Sequence, residues 1–292
     1  MVRIIVTSVA DIQKEEAQKL GLKVLPIQIW IDQTSYLDGE TIEPAQLLLA
    51  MQEGGHVINT RHVPPDELEK AFLEAVEAGE EVLFFSDSER YSSNMLAADV
   101  ARSSVLEKYP TAEIQLLNSK NASAGYQLMA RKLARLSSEG KSMKEILKAA
   151  KYYMEHIHHT FVISPDAGFN NAKGKLAHLL GAVGEQLDVK YAFAFNPEGE
   201  AEQLIPLSIS GNRHVEEWLL ESIKEKYGDL ENQEVVFVHG INTKVDETLL
   251  EKVEKQLKPR IIHAGVAGCA VSANTGTDFL AGAYLDALDI FE

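Results

Sequence analysis

The sequence predicts an α/β protein. Short apolar runs alternate along the chain with segments of helical period, and the alternation begins afresh near residue 158. The 292 residues can bury a substantial core in one large or two ordinary domains. The renewed pattern divides the chain at 1–157 and 158–292, without a Gly/Pro/Ser-rich linker, an internal repeat or a low-complexity segment.

The first half opens with a strand at residues 2–7, a turn at Ser8-Val9-Ala10-Asp11 and a helix to Leu20. Lys23–Ile31 reads as a second extended run. Glu43–Gln52 and Pro65–Ala78 have helical patterns. Val82-Leu83-Phe84-Phe85 is a short buried strand ending at Ser86-Asp87-Ser88. Tyr91–Tyr109 is then helical, Ala112–Leu117 extended and Ala122–Ser138 helical. The break at "LSSEGKSMKEI" offers Ser142 as N-cap of a helix reaching His156. In the second half, strands are expected at His159–Ile163, Lys190–Phe195, Val235–His239 and Arg260–His263. Helices are expected at Lys173–Gly181, Val215–Tyr227, Asp246–Leu257 and Thr277–Leu288, and Asn196-Pro197-Glu198-Gly199 should reverse the chain.

Composition narrows the function. A net charge of −16 with no basic run argues against a nucleic-acid partner. Cys269 is the single cysteine, which rules out an intrachain disulfide and any multi-cysteine metal site. The N-terminus reads as a strand, not a signal peptide. No apolar run approaches the ~20 residues of a membrane span, so a cytoplasmic setting is expected.

Several enzyme signatures fail. In "GFNNAKGK" (168–175) five residues separate the glycines where a phosphate-binding loop needs four, and Leu176 follows the last lysine. "GVAGCAVSANTG" lacks the dinucleotide spacing, and there is no G-x-S-x-G elbow. "EHIHH" (155–159) puts His156 and His158 on one face of a strand and His159 on the other, which reads as structural histidines and no metal site. Cys269, beside Gly and Ala, reads as a small buried residue.

What remains is a set of small polar residues at strand ends, where ligands collect in open α/β sheets. Thr7-Ser8 follows the first strand, and Thr60-Arg61-His62 precedes the helix at Pro65. Ser88-Glu89-Arg90, Asn118-Ser119 and Asn274-Thr275-Gly276 complete the series. Each also suits a helix N-cap. The Thr60-Arg61-His62 corner is open to two readings, an anion site at a helix start or a solvated loop.

In order, these stretches resemble the DegV family of fatty-acid-binding proteins across essentially the whole chain. "VTSVADIQ" (6–13) is similar to the family's "TDSTADL", with Thr7 in place of Asp. "YLDGETIEPAQL" (36–47) matches its acidic-glycine turn, and "TRHVPPDEL" (60–68) its "TSQPSPGEF". "FSDSERYSSN" (85–94), "LLNSKNASAG" (116–125) and "SANTGTDFLAGAYL" (272–285) resemble "SSGLSGTYQSA", "DSKSASMG" and "GTHTGPGALGLAFL".

The resemblance implies two α/β domains with a ligand cleft between them, the N-terminal one a mainly parallel sheet flanked by helices. It implies a long-chain fatty acid with its carboxylate in the cleft and its tail in an apolar tunnel. The acid would be presented to a separate fatty acid kinase, with no cofactor, metal or catalytic residue in this chain. The candidate ligand-binding residues are Ser8, Thr60, Arg61, His62, Ser88, Arg90, Ser119, Arg213, Asn274 and Thr275. The head-group set departs from the family's pattern. Arg61 replaces a Ser, Glu89-Arg90 a Gly-Thr and Asn274 a His, while "SISGNR" (208–213) stands for "VRGR" and "NNAKGKLAHLLG" (170–181) shortens a longer segment. Arg61, Arg90 or Arg213 could supply the carboxylate's donors. Two alternatives stand beside this. One is a substrate subunit of a dihydroxyacetone-kinase-like phosphotransferase with His62 on the carbonyl. The other is a degenerate member that binds another ligand or partner.

Overall fold

The computed structural model describes residues 1–163, 190–204, 215–241 and 247–291. Its first sheet has the order β2-β1-β6-β7, all parallel, from β1 (Val2–Thr7), β2 (Lys23–Leu25), β6 (Glu81–Ser86) and β7 (Ile114–Asn118). Val82 to Phe85 are all fully buried, as a parallel strand covered on both faces requires. The covering helices are α1 (Lys14–Leu20), α3 (Pro65–Glu77), α4 (Asn94–Lys108), α5 (Ser123–Ser138) and α6 (Met143–His156).

A small antiparallel sheet, β4-β3-β5, comes from β3 (Gln28–Ile31), β4 (Thr34–Leu37) and β5 (Ile58–Arg61), with α2 (Pro44–Glu53) between the last two. The extended run expected over 23–31 is therefore two strands, broken at Pro26, which has no N–H to continue a ladder. Thr60 and Arg61, expected in a loop, end β5, because the backbone of residues 58–61 pairs with β3. The helix expected from Tyr91 begins at Asn94, leaving Tyr91–Ser93 in a turn.

The third sheet has six strands in the order β10-β9-β8-β13-β11-β12: β8 (Ile157–Ile163), β9 (Tyr191–Phe195), β10 (Ala201–Gln203), β11 (Glu234–His239), β12 (Ile261–Val266) and β13 (Phe279–Leu285). Only the β11–β12 pairing is parallel. The helix expected over Thr277–Leu288 is thus corrected to a central strand, β13, buried at every position. A strand buried on both faces shows no period of two, and its Ala-rich run imitates a helix. Pairing with β8 and β11 makes it a strand, and Gly282 lets side chains pack closely on it: a Cβ there would stand 3.1 Å from Phe237 Cε1 and 3.4 Å from Leu219 Cδ2. α7 (Val215–Tyr227) and α8 (Glu247–Leu257) follow the expected pattern, and α9 (Cys269–Thr275), a short run of small residues, escaped it. The helix expected at Lys173–Gly181 lies outside the described residues.

α5 holds the halves together. It packs on β1 of the parallel sheet and on β11 and β13 of the mixed one, and is buried from Ser123 through Ala134. Its long polar side chains end in ion pairs: Arg131 with Glu16 at 2.6 Å, Lys132 with Asp289 at 2.7 Å and Arg135 with Glu234 at 2.6 Å. Burial pushes the Glu234 carboxyl up, but His263, Lys132 and Arg135 together hold it well below the usual carboxylate range. α6 then passes directly into β8 at residue 157.

Ser142 is the N-cap of α6. Its Oγ accepts from Glu145 N, and Glu145 Oε2 accepts from Ser142 N at 2.9 Å, a reciprocal capping box. Ser142→Ala should lower stability by about 1 kcal/mol in urea unfolding.

Candidate functional site

Strand ends from both larger sheets converge on one cavity of about 190 Å³. β1 delivers Thr7 and β6 delivers Asp87, and the two meet: Thr7 Oγ1 donates to Asp87 Oδ1 at 3.1 Å. Asn94, at the start of α4, donates from Nδ2 to the same oxygen at 2.8 Å, while its Oδ1 accepts from Val63 N at 2.9 Å. Tyr126 of α5 accepts from Thr7 N at 3.0 Å and donates to the Phe85 carbonyl. Burial pushes the Asp87 carboxyl up, against the hydrogen bonds from Ser92, Asn94 and Thr7.

The mixed sheet closes over this floor through the β9–β10 hairpin. Ser88 Oγ donates to Gly199 O at 2.7 Å, and Tyr91 Oη accepts from Ala201 N at 2.6 Å. Gly199, at φ +81°, is required, since a Cβ would sit 2.8 Å from Ser88 Oγ and 3.0 Å from Lys120 Cα. Asn196-Pro197-Glu198-Gly199 makes the expected reversal.

The cavity is amphipathic. One group in its wall is polar: Thr60 Oγ1 accepts from Asn274 Nδ2 at 3.3 Å, with Arg61 and His62 beside them. Arg61 lies over the Trp30 ring, 4.2 Å from its centroid, which holds the guanidinium without neutralising it. The other group is aromatic: Phe161 stands 5.7 Å from Phe195 and 6.0 Å from Phe279. His159 joins it, stacked on Phe195 at 5.1 Å and 16°.

The structure thus brings Thr60, Arg61, His62, Ser88, Asn274 and Thr275 into one wall. Thr275 Oγ1 is turned to Val271 O at 3.0 Å within its own helix. Ser88 is committed to the hairpin. Three candidates stand elsewhere. Arg90 is on the outside, with its Nε 3.4 Å from Glu200. Ser119 closes its own turn on Asn121. Ser8 accepts from Ile27 N at 3.2 Å and lines a separate groove of about 760 Å³ with Asp11 and Asp38. Arg213 lies outside the described residues. Sequence reasoning missed Asp87, Asn94, Ser123 and His159 as cavity residues. Asp87 directly follows a buried strand, so the strand-end rule could have found it.

Asp11 and Asp38 have a different task. Asp11 Oδ1 accepts from Gly268 N at 2.7 Å and Oδ2 from Ser123 Oγ at 2.6 Å. Asp38 accepts from Cys269 N at 2.9 Å and Ala270 N at 3.1 Å. Together they anchor the start of α9, the helix that carries Asn274 and Thr275. Burial pushes Asp11 up to about 7, with Ser123 and Gly268 pulling down and Asp38 adding to the rise. Asp38 is also raised by burial. Cys269 is fully buried there, and burial followed by Asp38 pushes its thiol up, so it stays protonated and is no nucleophile.

His156 and His158 both meet Asp286, at 2.8 Å each, while His159 turns to the other side of β8, as the alternation predicted. Among the described residues no group of three or more His, Cys, Asp or Glu could hold a metal, and no helix is long and apolar enough to cross a membrane.

A parallel sheet and a mixed sheet gripping one shared helix, with a small antiparallel sheet beside them and an amphipathic cavity lined from all three, define a mixed α/β protein. The chain belongs to the DegV family: a family model described as "Uncharacterised protein, DegV family" matches residues 1–286. It is 24% identical over 276 residues to a DegV domain-containing protein of Clostridium perfringens, covering 94% of each chain. The fold is similar to a stearic-acid-binding protein of Eubacterium ventriosum, with a TM-score of 0.84, 20% identity, and 98% of this chain and 99% of that one covered. It is also similar to the fatty acid kinase B3 protein of Streptococcus pneumoniae loaded with linoleic acid, with a TM-score of 0.83, 18% identity, and 98% and 100% covered.

Proposed function

We propose that this protein binds a long-chain fatty acid and presents it, in the cytoplasm, to a separate fatty acid kinase, acting as a carrier and not a catalyst. The observation that carries this reading is the amphipathic cavity, with a hydroxyl, an amide, a guanidinium and an imidazole in one part of its wall and three phenylalanines in another. The carboxylate belongs with Thr60, Arg61 and His62, where a guanidinium and a hydroxyl donor suit an anion, while Asn274, whose Nδ2 donates to Ala270 O at 2.8 Å and Thr60 Oγ1 at 3.3 Å, orients the Thr60 hydroxyl. The division near residue 157 belongs to the same proposal, with the two domains sharing α5.

Size limits what the cavity holds. An apolar cavity of about 150 Å³ accommodates benzene, so about 190 Å³ takes a head group and the first carbons of a chain. The rest of the tail must run beyond it. Burying a palmitate-like tail is worth roughly 0.8 kcal/mol per carbon, about 12 kcal/mol gross, much of it offset by ordering costs. The tail thus supplies affinity and the polar cluster supplies orientation.

Denaturing extraction of the purified protein followed by lipid mass spectrometry should release an acyl acid, and delipidated protein should take one up again. Finding neither co-purified nor exchangeable acid refutes the proposal. A small carbonyl compound bound instead, and lost in His62→Ala, would move the assignment to the dihydroxyacetone-kinase-like alternative. Thr60 Oγ1 accepts from Asn274 and keeps its own proton for the ligand, so Thr60→Val removes a donor to a charged group and should weaken fatty-acid binding by about 1.5 kcal/mol or more, read by calorimetry.

A further inference from the structure

His159 is the unexplained group of the cavity. The residue is 2% exposed and is among those that line the cavity, and its ring packs against Phe161 at 5.5 Å and Phe195 at 5.1 Å. Nδ1 stands 2.7 Å from Asn121 Oδ1. That atom also accepts from Ala122 N at 3.1 Å, which identifies it as the amide oxygen. An oxygen acceptor requires the proton on Nδ1, so Nε2 presents a bare lone pair. Nε2 is buried and has no hydrogen-bond partner. Burial depresses the imidazole to about 3, so the ring remains neutral and Nε2 remains an acceptor throughout the physiological range.

The chain is shaped around this arrangement. A Cβ on Gly125 of α5 would stand 2.3 Å from Asn121 Oδ1 and 3.0 Å from His159 Cβ, so only glycine lets α5 approach the Asn121–His159 pair. Two hydroxyls that line the cavity are engaged elsewhere: Ser123 donates to Asp11 and Ser88 to Gly199. A hydrocarbon chain lying past the phenylalanines leaves Nε2 unsatisfied, which is unfavourable for a buried acceptor. A hydroxyl on that chain can donate to it. A ketone cannot.

We infer that His159 is a specificity-determining residue whose Nε2 accepts a hydrogen bond from a hydroxyl on the ligand's acyl chain, so that the preferred ligands are hydroxylated fatty acids. This rests on the fatty-acid reading above and narrows it to a substrate class.

The test measures binding of stearic acid, a positional series of its monohydroxy derivatives and the matching keto derivatives to the delipidated full chain. One hydroxy position should bind tighter than stearic acid by on the order of tenfold, and its keto counterpart should show no gain. In His159→Phe the hydroxy acid should lose its advantage over stearic acid, whatever the affinity of either. Nitrogen NMR of His159 should show the Nε2 resonance moving on addition of the preferred hydroxy acid and not with stearic acid. Equal or weaker binding of every hydroxy acid, or a preference that survives in His159→Phe, overturns the inference and leaves the fatty-acid reading standing. Failure to bind any acid overturns both.

Discussion

Lys132→Met should destabilise the protein by about 3–5 kcal/mol, the largest effect expected of a single substitution here. Lys132 and Asp289 are 2% and 3% exposed, with Nζ 2.7 Å from Oδ2. Asp289 also accepts from Tyr153 Oη and from Phe291 N on its other oxygen, each at 3.0 Å. It therefore fastens the segment after β13 to α5 and α6. Methionine fills the lysine's volume but leaves a buried carboxylate without its counter-charge. Urea unfolding should show a lower midpoint at unchanged slope. The double variant Lys132→Met/Asp289→Leu should recover part of the loss, because it leaves no buried Asp289 without a counter-charge, while Glu234 keeps Arg135 but loses the influence of Lys132. A single variant within 1 kcal/mol of the parent would refute the argument.

Asp11→Asn should act in the opposite direction, increasingly as pH rises above about 4 and in full above about 7. The folded pKa of Asp11, about 7, lies above its unfolded value near 3.9. The folded chain therefore holds that proton more tightly than the unfolded chain. The resulting stabilisation is complete below about pH 4 and is lost as pH rises through about 7, a range worth up to about 4 kcal/mol. Asparagine stays neutral, tolerates the φ of +52° at this position, and can still accept from Gly268 N. At pH 8 the variant should be more stable than the parent, and at pH 4 the difference should close. His159 provides the contrast. Its folded pKa is depressed to about 3, so its contribution is present above about 6.5 and disappears on acidification. Between about pH 4 and 6.5 the two oppose each other, and Asp11→Asn should expose a steeper loss of stability toward acid. Thermal melts across pH 4 to 8 decide it, and parallel profiles for parent and variant would rule it out.

Much of this architecture is legible in the sequence where local chemistry acts alone. Ser142 and Glu145 announce the start of α6, and the apolar run at 82–85 announces a buried strand. The alternation at 157–163 separates His158 from His159. What stays hidden depends on distant partners. The β5 strand exists because β3 lies beside it, and β13 is a strand because β8 and β11 flank it. In the cavity, rows of small polar residues mark strand ends but not their engagements. Ser119 is spent on its own turn and Ser88 on a hairpin far along the chain. Arg90 looks like a carboxylate donor in sequence, yet Glu200 lies across from it. Asp11 and Asp38 belong to well-matched motifs, and their task, holding the start of α9, appears only when the chain is folded.

The position of β13 has a bearing on how the chain comes together during synthesis. Every strand of the parallel sheet lies before residue 119, and α5 follows directly, so that half can condense while translation continues. The mixed sheet cannot. Its strand β13 is the last of the described strands yet sits between β8 and β11, and until it emerges those two have no common neighbour. Their exposed edges, together with the face of α5 that awaits them, make the nascent chain vulnerable to aggregation. The cavity, walled partly by Phe279, closes only in that final step.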